Sequence, residues 1–224
     1  SITSGSRTRS SSLVVMDTEG EAREYDAMDH SGPNAAFVGR LIELGAQGRV
    51  LDIGCGPGQV AIEIAERIDG THVVGIDLAR HMLDVAQKRR ARSEVEDRVS
   101  FELADAKGLP YPDHTFDVVC SNTILHHIPD PRPFLAEAGR VLKTNGVLLV
   151  RDLFRPRDAA TVDALVSEHA ADANPTQREL FRASLCAALT PSELEATAAE
   201  AGLEGVQVVV DTDRHMSLQR AAAR

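Results

Sequence analysis

Residues 50–58 have the types and spacing of a ligand-binding turn. They read Val-Leu-Asp-Ile-Gly-Cys-Gly-Pro-Gly, so an apolar run with one acid leads into three glycines at alternating positions, Gly54, Gly56 and Gly58. The apolar residues predict a short buried strand. Because glycine has no Cβ atom, a ligand can lie close to the backbone of the turn. A tight turn without a ligand is the alternative, but it needs only one glycine, so the pattern favours a bound ligand.

The glycine spacing separates two classes of nucleotide ligand. A dinucleotide fingerprint, Gly-x-Gly-x-x-Gly, needs its third glycine at position 59, where this chain has Gln59. A second apolar strand ends at Asp77, nineteen positions beyond Gly58. An acid about 20 residues past a glycine turn, at the tip of the second strand, binds a ribose diol in such folds. Asp77 can also be the N-cap of the next helix, and one carboxylate can do both.

The run Asp-x-Gly-x-Gly-x-Gly resembles motif I of the class I, Rossmann-like S-adenosylmethionine-dependent methyltransferases. Three further stretches resemble the same family: Leu-Ala-Asp-Ala at 103–106, the fourth strand with Leu-His-His-Ile at 116–128, and Arg-Val-Leu-Lys-Thr-Asn-Gly-Val at 140–147. The last departs from the family pattern at Thr144, where proline is usual, in a turn far from the ligand. The resemblance covers residues 21–218. The chain is similar overall to the quinone-biosynthesis and natural-product methyltransferases.

The resemblance implies S-adenosyl-L-methionine as cofactor and S-adenosyl-L-homocysteine as product. It implies that the glycines hold the methionine moiety, that Asp77 binds the ribose and that Asp105 reads the adenine edge. Asp52 would fix the loop or meet the ligand amine through water. Tyr25, in a cap segment at 21–30, would face the sulfonium or be an exposed helix tyrosine. The implied cofactor-binding residues are Tyr25, Asp52, Gly54, Cys55, Gly56, Gly58, Asp77, Leu78, Met82, Asp105, Ala106 and Asn122.

Three side chains beyond the fourth and fifth strands are candidates for a general base. Methyl transfer from a sulfonium is an in-line displacement that depends mainly on positioning the acceptor and excluding water. A hydroxyl, thiol or acidic carbon acceptor also benefits from a base, and the catalytic candidates are His127, Asp152 and His126. The structural alternative is that one histidine packs in the loop, the other is solvated, and Asp152 pairs with Arg151, Arg155 or Arg157.

Length, charge and cysteine content limit the classes of protein to which the chain can belong. The chain has 224 residues, a net charge of -10 and a pI near 5.3, which predicts one domain and disfavours nucleic acids and anionic membranes as partners. Cys55, Cys120 and Cys186 form no Cys-x-x-Cys pair and predict reduced core thiols in a cytoplasmic protein. No apolar stretch reaches the roughly 18 residues of a membrane span. His169 and His215 show no ligand spacing, so we expect no metal site.

The elements that position these residues alternate between helix and strand from Asn34 onward. This pattern predicts an α/β fold, and with the resemblance a single-domain, Rossmann-like sheet of seven mainly parallel strands, an antiparallel C-terminal edge hairpin and helices on both faces. We expect residues 1–12 to be a disordered tail or a vector remnant, 13–45 to form N-terminal cap helices, and 46–224 to form the cofactor-binding domain. Asn34 is predicted to cap the first helix, and Asn145 and Gly146 to turn the chain into a fifth strand at 147–150.

The leading hypothesis is methyl transfer to a small-molecule acceptor. An enzyme that methylates nucleic acid bases or glutamine is expected to carry Pro-Pro-aromatic after the fourth strand, where this chain has Ser-Asn-Thr-Ile at 121–124. One alternative is a catalytically silent regulatory or accessory protein that binds S-adenosylmethionine. A less favoured one is an NAD-linked oxidoreductase, because Gln59 breaks the fingerprint. A monomer and a homodimer both stay open.

Overall fold

The computed structural model describes residues 30–224, which form a seven-stranded sheet with helices on both faces. The helices are α1 (Ser31–Glu43), α2 (Gln59–Arg67), α3 (Arg80–Ala91), α4 (Pro131–Val141), α5 (Ala159–His169), α6 (Pro175–Ala187) and α7 (Pro191–Glu200). The strands are β1 (Arg49–Ile53), β2 (His72–Asp77), β3 (Val99–Leu103), β4 (Phe116–Asn122), β5 (Leu142–Leu153), β6 (Gln207–Val210) and β7 (His215–Arg220). The predicted tail, Tyr25 and most of the predicted cap lie outside the described residues.

The strand order β3-β2-β1-β4-β5-β7-β6 confirms the predicted fold class. The five strands β1–β5 are parallel, while β7 runs antiparallel to both β5 and β6. The chain moves outward from β1 to β3 and then returns to the other side of β1 with β4. The strand order therefore reverses between β1 and β4, and a crevice forms at the carboxyl ends of the strands there.

Hydrophobic side chains build a core on each face of the sheet. One core packs against α1–α3 around Phe37, and the other packs against α4 and α7 around Phe134. Successive strand residues point to opposite faces, so Val50 belongs to the first core and Leu51 to the second. Helices α5 and α6 share a smaller third core around Leu185. Each such buried side chain contributes about 1.5–3 kcal/mol, which fixes the strand tips that carry the site.

Two local predictions about turns and caps were wrong. Asn34 does not cap the first helix, because α1 begins at Ser31 and Asn34 lies inside it, 8% exposed. Asn145 and Gly146 do not precede the fifth strand but lie within β5, where the pairing with β4 shifts register. A Cβ on Gly146 would lie 2.8 Å from the carbonyl oxygen of Asp117, so this glycine permits close strand contact.

The cysteine prediction is confirmed for two thiols and wrong for one. Cys55 and Cys120 are buried, whereas Cys186 is exposed on α6. All three thiols are free. The apolar neighbours of Cys186 in the sequence face the third core, and the helical period turns Cys186 itself outward. Within residues 30–224, no helix combines the length and the apolar character needed to cross a bilayer.

Candidate active site

A cleft opens at the carboxyl ends of the central strands, where the strand order reverses. It encloses about 870 Å³ with its open mouth included. Its walls are mainly apolar and carry few charged groups. The lining residues are Ile53, Gly54, Gly56, Ile76, Asp77, Leu78, Ala79, Met82, Ala104, Asp105, Ala106, Lys107, Thr123, Ile124, His127 and Ile128.

The three glycines of the first turn have two different roles. All three have left-handed backbones, with φ of 72° at Gly54, 52° at Gly56 and 83° at Gly58. Gly54 and Gly56 line the cleft, so their lack of a side chain leaves room beside the backbone. Gly58 does not line it; a Cβ there would lie 2.6 Å from the ring of Phe101. Gly58 thus serves helix–sheet packing, and the other two serve the ligand space.

Asp77 lies at the tip of β2 and faces the glycine turn. Its Oδ2 accepts a hydrogen bond from the backbone N–H of Gly56 at 2.9 Å, and its Oδ1 accepts one from Ala79 at 2.8 Å. Ala79 is itself the N-cap of α3, so the hydrogen bond from Ala79 to Asp77 fixes the backbone that leads into this helix. An ionised carboxylate has about four acceptor sites, so these two backbone donors do not exhaust the acceptor capacity of Asp77.

Away from the glycine turn, the cleft carries four more of the predicted cofactor residues. Leu78, Met82, Asp105 and Ala106 all line it. Asp105 accepts a hydrogen bond from the backbone N–H of Lys107 at 2.9 Å, and its carboxylate is half exposed at the cleft rim. These contacts hold the Asp105 carboxylate and the neighbouring backbone at the rim of the cleft, where the carboxylate can accept a hydrogen bond from an aromatic amine.

Four predicted cofactor residues lie behind the cleft wall rather than in it: Asp52, Cys55, Gly58 and Asn122. The Asn122 amide donates to Asn34 Oδ1 at 3.4 Å and accepts from the Thr123 hydroxyl at 2.9 Å. Asn34 in turn donates to Gln59 Oε1 at 3.3 Å. This chain of amides joins α1, α2 and the tip of β4. Direct contact of these four residues with a ligand stays a prediction.

His126 and Asp152 form a buried pair beside the cleft. Asp152 accepts from the His126 backbone N–H at 2.7 Å, from the His126 ring Nδ1 at 2.7 Å and from the Leu153 backbone N–H at 2.8 Å. Because a carboxylate accepts, Nδ1 carries the ring proton and Nε2 offers a lone pair. The predicted structural alternative does not hold for Asp152, since the nearby arginines use other carboxylates: Arg151 with Asp211, Arg155 with Glu193 and Arg157 with Asp158.

His127 lines the cleft directly in front of this pair. Its ring centroid lies 4.1 Å from that of His126. Burial, and then the proximity of His126, lower the pKa of His127 to about 4. The imidazole is therefore neutral at neutral pH, and His127 adds no positive charge to the cleft wall.

Sequence reasoning missed Thr123, Ile124 and Lys107 in the cleft wall. Thr123 has a φ of 64°, which is rare for a β-branched residue and costs about 1–3 kcal/mol. Its backbone N–H donates to the Arg151 carbonyl at 2.7 Å, which holds this conformation. Ile124 packs over Gly54. Only glycine, asparagine or aspartate would have indicated a left-handed residue in the sequence, so nothing in the sequence pointed to Thr123.

Buried polar atoms without partners mark the same end of the sheet. In residues 30–224 they are Asp52 Oδ2, Ser121 Oγ and His126 Nε2, on β1, β4 and the turn that follows β4. A buried polar atom left unpaired costs about 1–3 kcal/mol, so such atoms are usually completed by a ligand or water. Together with the open glycine turn and the two acids of the cleft, Asp77 and Asp105, they fit an adenosyl ligand with a cationic end.

Three side chains on the described surface lie close enough together to be considered as a metal site. Ligand atoms of Glu168, His169 and Asp213 lie within 4.8 Å of one another. His169 Nε2 is 2.8 Å from Asp213 and 3.2 Å from the guanidinium of Arg214, which already lies against the Asp213 carboxylate. This arrangement is an exposed ion-pair cluster, and the expectation of no metal site stays a prediction.

Known proteins share the sequence pattern of this chain. A family model for a methyltransferase domain matches residues 44–202. The chain is 38% identical over 164 residues to 27-O-demethylrifamycin SV methyltransferase of Amycolatopsis mediterranei, an alignment that covers 73% of this chain and 57% of that protein. The chain therefore spans little more than half the length of this curated relative.

Two solved structures share its architecture. A SAM dependent methyltransferase from Aquifex aeolicus superposes with a TM-score of 0.67 at 19% identity, covering 92% of this chain and 99% of that one. The cyclase SpnF superposes with a TM-score of 0.60 at 26% identity, covering 80% of this chain and 57% of that one. The first likeness is one of fold over nearly the whole length of both chains.

Proposed function

This chain belongs to the methyltransferase domain family of class I, S-adenosylmethionine-dependent enzymes, and from that membership we propose that it transfers a methyl group to a small-molecule acceptor. The observation that carries the proposal is the cleft between β1, β2 and β4. Gly54 and Gly56 leave its floor open, Asp77 faces it at the tip of β2, and Asp105 lies at its far end. This is the arrangement that the ribose, adenine and methionine parts of one ligand require.

S-adenosylmethionine, when bound, supplies a methyl group on a sulfonium. The chain's own residues then have to hold the acceptor in line and keep water out. The apolar wall made by Ile53, Ile124 and Ile128 serves the second task. The neutral ring of His127 adds no charge that would oppose a sulfonium.

The base is proposed to be the histidine pair. His127 lines the cleft, and His126 lies directly behind it. His127 is therefore the member that we propose contacts the acceptor. Asp152 is proposed as a positioning residue, because it does not line the cleft and its carboxylate accepts from two backbone N–H groups and the His126 ring. It holds the Nδ1–H tautomer of His126 and compensates the positive charge that develops when the pair takes up an acceptor proton.

A second candidate is a protein that binds S-adenosylmethionine without transferring its methyl group. The likeness to SpnF, a cyclase at 26% identity, favours it, because a chain of this fold can host another reaction. We further propose a cytoplasmic protein with no nucleic acid or membrane partner, supported by three free thiols and a net charge of -10.

Calorimetry and a transfer assay test these proposals in sequence. We expect S-adenosylmethionine and S-adenosylhomocysteine to bind and NAD to give no heat. A panel of small hydroxyl, amine, thiol and acidic-carbon acceptors with radiolabelled methyl donor then separates the two candidates. Label in a product supports the transferase, and binding with no label in any product supports the silent binder. Binding of NAD alone would overturn both.

A further inference from the structure

Asp52 is a buried carboxyl that the proposed chemistry does not use. It lies on β1, two residues before Gly54, and is 2% exposed. Its Oδ2 has no hydrogen-bond partner in the described part of the chain. Its Oδ1 has one polar neighbour, the thiol of Cys120 at 4.0 Å. A thiol is a weak donor, so the Asp52 carboxyl receives little stabilisation from hydrogen bonds.

The titratable groups around Asp52 carry no positive charge. Asp77 approaches from β2, Cys120 from β4 and Cys55 from the glycine turn. Burial, and then the charge of Asp77, raise the pKa of Asp52 to about 8. Burial also raises the pKa of both thiols, so they stay neutral. Among the described residues, no arginine, lysine or histidine pairs with this carboxyl.

An unpaired, ionised carboxylate in such a place is costly, and the group keeps its proton unless a cation arrives. A positive charge within about 4–6 Å reverses that preference. The cleft begins at Ile53 and Gly54, the residues next to Asp52 on the chain. Both S-adenosylmethionine and S-adenosylhomocysteine carry an ammonium group, and the former carries a sulfonium as well.

We propose that Asp52 holds a proton in the ligand-free protein and releases it to solvent when the cationic end of either ligand binds. The O–H bond of the carboxylic acid breaks, the proton passes to the buffer, and the carboxylate remains as counter-charge to the bound ligand. This inference rests on the proposed function, since it takes these ligands as occupants of the cleft. Asp52 then selects for cationic ligands without touching the transferred methyl group.

If ligand binding releases a proton, the affinity for the ligand depends on pH in a defined way. Below the pKa of Asp52 in the free protein, the ligand has to displace a proton, so affinity rises with pH by up to about tenfold per unit. Above that pKa the carboxylate is already ionised and the rise levels off. We therefore expect the affinity for S-adenosylhomocysteine to increase from pH 6 to about pH 8 and then become flat.

Isothermal titration with S-adenosylhomocysteine at pH 7 tests the proposal. The apparent enthalpy in phosphate and in Tris, whose ionisation enthalpies differ, gives the number of protons released per ligand. We expect close to one for the wild-type protein and close to zero for Asp52→Asn, with the pH dependence of affinity flattened. Asp105→Asn is the matched control: it changes an acid of the same cleft, weakens binding and keeps the proton release.

The outcomes separate this inference from the proposed function. No binding of either ligand overturns the proposed function and the inference with it. Binding with equal enthalpy in both buffers overturns the inference alone, as does proton release that persists in Asp52→Asn. If that variant does not fold, infrared difference spectra of the wild-type protein decide. Loss of a protonated carboxylic acid band on ligand addition supports the proposal, and an unchanged band overturns it.

Discussion

Three aspartates at one edge of the sheet differ because their donors differ. Asp77 accepts from the backbone N–H groups of Gly56 and Ala79, and Asp152 accepts from two backbone N–H groups and an imidazole N–H, whereas within residues 30–224 Asp52 receives no nitrogen or oxygen donor. A carboxylate with several donors is stabilised in its ionised form, and one without donors is not. These different surroundings are the basis for the three roles proposed here: a ribose acceptor, a residue that orients a histidine, and a proton store.

Asp77→Ala is expected to weaken binding of S-adenosylhomocysteine by about 1–3 kcal/mol, because ribose hydroxyls lose their acceptor. Calorimetry measures the change. Asp69→Ala removes an exposed acid before β2 and serves as the control, with no expected change in affinity. Equal affinities for wild type and Asp77→Ala would remove Asp77 from the ligand site.

Asp152→Asn is expected to lower kcat by about 10²–10⁴-fold, the usual contribution of acid–base catalysis, while leaving cofactor affinity unchanged. The amide can still accept from a backbone N–H, but it no longer fixes the His126 tautomer or compensates charge. Steady-state kinetics across pH, with calorimetry of S-adenosylhomocysteine, separates the two effects. A parallel loss of binding and kcat would instead indicate a structural role.

His127 makes the stability of the protein depend on pH. Its pKa is about 4 in the folded protein against about 6.5 in an unfolded chain. Between these values the unfolded chain binds more protons, so stability falls as the pH drops. His127→Gln should remove about 1 kcal/mol of that fall between pH 6.5 and pH 5, discounted for partial exposure. Urea unfolding at both pH values measures it, and the same dependence in His127→Gln and wild type would contradict it.

At the scale of elements, the buried parallel strands were the most predictable part of the fold. Strands covered on both faces read as largely apolar runs, as β1 does before the glycine turn, whereas the edge strand β3 alternates buried and exposed residues over most of its length. Two helix starts are also evident in the sequence: a capping box at Thr190 precedes α7, and a proline after Asp130 opens α4. These signals are local, and tertiary contacts do not change them.

The errors and omissions come from tertiary contacts. Asn34 has the side chain of a cap residue, yet α1 extends past it and buries it against Gln59 and Asn122. The left-handed backbone of Thr123 is held by the Arg151 carbonyl from the next strand. The pairing of His126 with Asp152 joins residues 26 apart in the chain. Local patterns give the location of such residues at a strand tip but not their partners.

The packing of α2 on the sheet depends on a glycine with no space for a side chain. Gly58 combines a φ of 83° with a Cβ position 2.6 Å from Phe101, whereas Gly70 has a φ of 74° and open space. Gly70→Ala therefore measures backbone strain alone, about 1–2 kcal/mol. Gly58→Ala adds overpacking of about 1–3 kcal/mol. Equal losses in urea unfolding would show that the contact with Phe101 relaxes freely.

At the scale of the whole molecule, one buried ion network joins the first helix to the last strands. Asp211, between β6 and β7, contacts Arg40 of α1 at 3.0 Å and Arg151 of β5 at 3.3 Å. The Arg151 guanidinium also lies over the ring of Phe37 and donates to Ser217. The network closes the sheet on the side opposite α4 and lies directly beneath the strand tip that carries Asp152.

Removal of Asp211, the buried acid of this network, should destabilise the whole domain, since the other acid that Arg40 contacts, Glu43, has a side chain that is 74% exposed. Asp211→Asn leaves two guanidiniums without their shared counter-charge, and the side chains of Asp211 and Arg151 are only 6% and 8% exposed. Breaking a buried pair in this way costs about 3–5 kcal/mol. The matched control is Asp213→Asn, two residues along the same turn, whose side chain is 46% exposed and pairs with Arg214.

Loss of such a surface pair costs less than about 1 kcal/mol. For a chain of this size each 1 kcal/mol lowers Tm by about 2–4 °C, so Asp211→Asn should melt at least about 6 °C below wild type and Asp213→Asn within about 4 °C of it. Urea unfolding followed by circular dichroism measures both. Similar stabilities for the two variants would mean that water reaches Arg151 and Arg40 once the carboxylate is gone, and that the sheet edge is held by its apolar contacts alone.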